Sequence, residues 1–110
     1  MSYTFAHENL DCYKLALEVA RWFHNTSFPR GQSKLKDQGQ QAAESIVLNI
    51  AEGSSRRRGK GDAGKNHHDI ALGSAAECCA VIDLVHTLHG AHTQQENLRR
   101  IGAMLAKMSR

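Results

Sequence analysis

Ser45-Ile46-Val47-Leu48-Asn49-Ile50-Ala51-Glu52-Gly53 is the stretch that decides the fold. At 3.6 residues per turn, Ala42, Ile46, Asn49, Ile50 and Gly53 fall on one face, so an apolar helical stripe carries an amide in its middle. Upstream, Leu35 and Gly39 continue the stripe, and Ser33 is a candidate N-cap. The spacing predicts a helix over 34–53 that closes where Gly53 can take the left-handed conformation. A glycine at 39 costs about 1 kcal/mol relative to alanine inside a helix, and close helix approach there would be one justification.

Twenty positions further on, Gly73-Ser74-Ala75-Ala76-Glu77 repeats the pattern of polar groups on an apolar face. Ile70, Ser74, Glu77, Cys78, Val81, Leu84, Val85 and Leu88 predict a helix over 64–89, with Gly90 as its stop. Buried polar groups need partners. Asn49, Ser74 and Glu77 are therefore expected to meet as a buried polar latch that fixes the register of the two helices. A catalytic acid or ligand site is the competing reading of Glu77, with its acidity weakened by desolvation. No second inward carboxylate and no nucleophile–base pair accompany it, so no catalytic residue is assigned and no enzyme is expected.

Working outward, Leu10, Tyr13, Ala16, Leu17, Ala20 and Phe23 share a face and predict a first helix over 9–26, with Asn9 as N-cap and Phe28-Pro29-Arg30-Gly31 ending the segment. Thr93-Gln94-Gln95-Glu96 has the capping-box pattern, and Leu98, Ile101, Gly102, Leu105 and Met108 predict a fourth helix over 94–108. A chain of 110 residues with one Pro and 41% hydrophobic residues can build one modest core. The expected fold is all-α: a single domain, residues 1–110, forming an antiparallel up-down-up-down four-helix bundle.

The first helix carries a second apolar stripe. Cys12, Leu15, Val19 and Trp22 are spaced by three, four and three residues, the repeat of a helix–helix seam. Two apolar faces on one helix ask for two partners, so this stripe is the expected oligomer interface, with Trp22 as its anchor. The bland alternative packs Trp22 under the Phe28-Pro29 loop and leaves Leu15 exposed.

Net charge is only +3, but its distribution is uneven. Between Ser54 and Lys65 lie Arg56, Arg57, Arg58, Lys60 and Lys65 against a single Asp62. Such a cluster attracts a phosphate backbone, RNA or DNA, or an acidic protein face; a solvated interhelical loop explains it equally well. The three cysteines are an odd number, and the neighbouring Cys78 and Cys79 diverge on a helix, so free thiols in a reducing, cytoplasmic setting are expected. No apolar run is long enough to cross a bilayer, so no membrane partner is expected. His86, His89 and His92 suggest a metal site, but Gly90 interrupts the helix before the third, and no familiar ligand spacing accompanies them. Neither a metal nor a cofactor is assigned.

The segment from Ser45 to Gly53, with Leu10-Asp11, Tyr13-Lys14-Leu15-Ala16, Phe28-Pro29 and Gly73-Ser74, resembles a family of small bacterial four-helix-bundle proteins. Its founding members are encoded in intervening sequences of 23S ribosomal RNA genes, and it includes accessory proteins of diversity-generating retroelements. The resemblance implies homo-oligomers, with a pentamer favoured, and for the retroelement branch engagement of a reverse transcriptase and nucleic acid. Gln40 and Gln41 stand where the family carries a basic pair, and His67-His68 where it carries an aromatic-leucine pair. On this resemblance the expected function is a non-enzymatic oligomeric adaptor that binds RNA or DNA through the basic loop. A protein–protein scaffold without a nucleic-acid role is the alternative.

Overall fold

The computed structural model describes residues 2–56, 63–85 and 87–108, the side chains at positions 56 and 63 excepted. Their regular structure is entirely helical: α1 (Asp11–Asn25), α2 (Ser33–Arg56), α3 (Ala63–Leu84) and α4 (Ala91–Met108). No strand occurs among the described residues. Each helix packs on the next, and α4 packs back on α1, while α1 and α3 lie across the bundle from one another and share no contact. Phe23, Ile46, Ile50, Ile82, Ile101 and Leu105 fill the centre, and each is almost wholly removed from water. Burying side chains of this size contributes about 1.5–3 kcal/mol apiece before entropy is counted.

Contacts between neighbouring helices run in broadly opposite order. On α2 and α3, Gly39 meets Cys78, Ser45 meets Ser74, Asn49 meets His67 and Gly53 meets His68. Between α1 and α4, Glu18 meets Asn97, and Trp22 meets Gly90 in the turn just before α4.

Helix ends differ from the sequence expectation in instructive ways. The α2 helix runs through Gly53 to Arg56. Gly53 is there for proximity, because a Cβ on it would stand 2.8 Å from two atoms of the His68 ring and 3.0 Å from the Gly64 carbonyl oxygen. Gly39 likewise gives way to a ring, as a Cβ there would overlap Phe23. Close approach was one justification for Gly39, and a helix stop was expected at Gly53; proximity explains both.

Leu10, not Asn9, is the N-cap of α1, and it has extended backbone angles and no side-chain cap. At α2 the Gln32 carbonyl accepts from Lys36 N, which puts Ser33 inside the first turn. The third helix ends at Leu84, five residues before the expected His89, with Val85 N shared between the Val81 and Ile82 carbonyls as the helix tightens. Val85 and Leu88 still point into the core from the connection that follows.

The fourth helix begins at Ala91 without the expected capping box. The Trp22 indole N–H donates to the His89 carbonyl at 3.0 Å and lies against Gly90, whose φ of 80° suits a residue without Cβ. With that turn pinned, Gln94 N bonds the Gly90 carbonyl and the helix continues directly. Thr93 is then a helical residue, and Glu96 pairs with His92 at 3.2 Å on the exposed side.

Candidate functional site

Four side chains, from α2 and α3, make the polar cluster at the centre of the helix pair. Asn49 Nδ2 donates to the Ser45 carbonyl at 2.9 Å and to Ser45 Oγ at 3.1 Å. Ser74 Oγ donates to Ser45 Oγ at 2.9 Å. Because the Asn49 amide nitrogen is spent on Ser45, its oxygen faces His67 Nδ1 at 2.9 Å, so the imidazole carries its proton on Nδ1 and donates. The cluster is half-buried, and its four members are bonded to one another.

Asn49 and Ser74 are thus brought together, as the sequence indicated. Glu77 is not. It lies one helical turn beyond Ser74 and is exposed, because the inward line of α3 passes through His68, Ala71, Ala75 and Cys78 instead. The place assigned to Glu77 is filled by Ser45 and His67, which sequence reasoning missed. Ser45 precedes Asn49 by four residues and so had to share its face. For His67, one of an adjacent pair, no sequence signal said which ring turns toward Asn49.

Chemically the cluster consists of two hydroxyls, an amide and an imidazole. Neither serine hydroxyl bonds to His67, so no nucleophile is aligned with a base. These contacts tie the mid-point of α2 to that of α3. Among the described residues no group of three His, Cys, Asp or Glu side chains is placed to hold a metal ion. His86 lies outside the described residues.

A second polar group, unforeseen from the sequence, joins α1 to α4. The buried Asn97 Nδ2 donates to Glu18 Oε2 and also to Gln94 Oε1 at 3.3 Å. One α1 carboxylate is therefore bound to an amide in the α4 stripe.

The seam expected for a partner subunit is largely consumed within the chain. Cys12 and Val19 are core residues, Trp22 is half-buried on the turn between α3 and α4, and Leu15 is half-buried against the core. Cys12, Leu15, Val19 and Trp22 do not form an outer face, since α1 packs on both α2 and α4: Phe23 of one stripe meets Gly39 of α2, and Trp22 of the other reaches the turn before α4. Phe28 stacks on Phe23 at 6.1 Å, while the Trp22 indole is engaged by the His89 carbonyl.

All three cysteines are free. Burial, helped by Glu77 and Cys79 nearby, pushes the Cys78 thiol up to about 12, and its S–H points at the Gly39 carbonyl at 3.6 Å. Burial also raises Cys12 and Cys79. Such thiols stay protonated and act as small apolar groups, not as nucleophiles.

Of the basic set, Arg57, Arg58 and Lys60 lie outside the described residues, as does the Arg56 side chain. Arg56 is the last residue of α2, and the half-buried Lys65 lies in the first turn of α3. Among the described residues no helix is long and apolar enough to cross a membrane.

Residues 8–110 match a family model described as 23S rRNA-intervening sequence protein. No curated protein and no solved structure matches the chain.

Proposed function

Because the chain belongs to the 23S rRNA-intervening sequence protein family, we propose that it is a non-enzymatic, homo-oligomeric adaptor that binds RNA or DNA through the connection between α2 and α3. The observation that carries this is the concentration of Arg56, Arg57, Arg58, Lys60 and Lys65 against one Asp62 in a chain of net charge +3. A symmetric assembly repeats that patch in every copy, so weak phosphate contacts add as avidity. The scaffold proposed is an up-down-up-down bundle, supported by the opposite contact order of neighbouring helices. A pentamer is the stoichiometry we favour, and the cytoplasm the location; three free thiols support a reducing compartment.

Contacts made by charge to phosphate carry no base information, so affinity falls steeply with salt and depends little on sequence. Replacing Arg56, Arg57 and Arg58 with Ala weakens RNA and DNA binding together and lowers the salt slope by about one for each phosphate that is no longer neutralised. Fluorescence anisotropy at low and moderate salt, with helicity and particle mass as controls, measures this. Binding that is undetectable at low salt, or indifferent to the triple substitution, overturns the nucleic-acid role.

A second reading, a protein–protein scaffold, is favoured by the apolar side chains left on the surface: Tyr3, Phe5, Leu48, Ile70 and Leu84. Under it, a reverse transcriptase or another protein is the partner and the basic segment only aids solubility. A gene lying inside a ribosomal RNA operon, or beside a reverse transcriptase, separates the two settings.

A further inference from the structure

One face of α3 is left uncovered by the described residues of its own chain. Ile70, Gly73, Glu77, Ala80 and Leu84 are all exposed and are spaced by three, four, three and four residues, the repeat of a helix packed along another. Ile70 is 52% exposed and Leu84 68%. A Cβ at Gly73 would meet nothing within 4 Å, whereas Gly39 and Gly53 each make room for a ring. Glycine is a poor helix former, and at position 73 no contact among the described residues accounts for it. The flanking charges have one sign. Exposed residues from 66 to 84 include Asp69, Glu77 and Asp83 and no lysine or arginine.

A second exposed apolar stripe, flanked on α1 by cations, lies across the bundle. On α1, Leu17 sits between the exposed Lys14 and Arg21 and lines a groove with Ala20, Val47 and Leu48, where Glu44 on the α2 side is the one carboxylate. Leu48 is 67% exposed. Lys14 and Arg21 are about 10.5 Å apart along the axis, and Asp69 and Glu77 about 12 Å. None of these four makes an ion pair among the described residues.

Building on the homo-oligomer proposed above, we propose that these two faces meet between copies of this chain, Leu17 seating over Gly73 while Lys14 and Arg21 face Asp69 and Glu77. Pairing α3 with a second α3 is disfavoured, because it sets carboxylates against carboxylates. One partner cannot cover both faces, since α1 and α3 lie on opposite sides of the bundle. The contact is therefore head-to-tail, and repeating it generates a closed ring or an open filament instead of a two-fold dimer. This interface replaces the Cys12, Leu15, Val19 and Trp22 seam, which the chain uses internally.

Charge reversal on the full chain tests the pairing, with light scattering after size exclusion over a range of concentrations. Arg21→Glu and Glu77→Arg, each alone, raise the concentration at which the particle dissociates by about tenfold or more, and combining both in one chain restores assembly. Both residues are exposed, so the helical signal stays at wild-type level. Gly73→Gln fills the hole beneath Leu17 and breaks assembly while favouring the helix, so a loss of mass there does not report misfolding. A wild-type chain that is monomeric at every concentration refutes the oligomer itself and this interface with it. A wild-type oligomer indifferent to all three variants refutes this interface alone. Single reversals that dissociate the particle but are not rescued in the double variant overturn the pairing and point to a different partner for the acidic face.

Discussion

Replacing Gly39 with alanine sets two effects of known size against each other. Alanine favours a helix interior by about 1 kcal/mol over glycine. The new methyl, however, would overlap the Phe23 ring. Phe23 is fully buried, with Trp22 edge-on at 5.0 Å and Phe28 stacked at 6.1 Å, so the ring cannot retreat without disturbing both. Overpacking a filled core costs about 1–3 kcal/mol. The overlap here calls for the upper part of that range, which leaves a net destabilisation of about 1–2 kcal/mol after the propensity gain. In urea titrations followed by helical circular dichroism at fixed protein concentration, the midpoint falls while the slope is unchanged. Phe23→Leu in the same background relieves the clash, so the double-mutant cycle shows a favourable coupling of about 1 kcal/mol or more. A Gly39→Ala variant as stable as wild type, or a cycle with no coupling, refutes the account of α1 and α2 packing at this point.

Alkaline conditions destabilise the protein through Cys78. Its folded thiol titrates at about 12, well above the ordinary cysteine value of about 8.5–9, so above that value the unfolded chain releases a proton that the folded chain retains. Stability is therefore full below pH about 9 and falls by about 1.4 kcal/mol per pH unit for this group as pH rises toward 12. Urea midpoints of wild type and Cys78→Ala across this window measure the difference, and parallel curves rule the mechanism out. At the polar cluster, Asn49→Ala removes the acceptor of His67 and two bonds to Ser45, at a cost of about 1–3 kcal/mol by the same titration. A change within about 0.5 kcal/mol, the range of an ordinary surface substitution, contradicts a register-setting role.

Periodicity made the four helices legible, together with Asn49 and Ser74 on the α2 and α3 stripes, because which residues share a helix face follows from 3.6 residues per turn alone. Gly39 signalled close approach for the same local reason, the absence of a side chain. What periodicity left open is how far around a helix the core extends, since that depends on how many neighbours the helix has. Both stripes of α1 looked separable in sequence, yet α1 lies between α2 and α4, and Cys12 and Val19 are core residues. In α3, apolar residues occur nearly all round the helix, so the inward line could not be picked from composition. Tertiary packing chose the line through His68, Ala71, Ala75 and Cys78 and left Glu77 outside. Helix ends were decided in the same way: Gly53 reads as a stop until the His68 ring is seen against it, and Thr93 reads as a cap until Trp22 pins the turn at His89 and Gly90. A sequence determines which residues lie on one side of a helix; only the neighbours that arrive on folding determine which of those sides is inside.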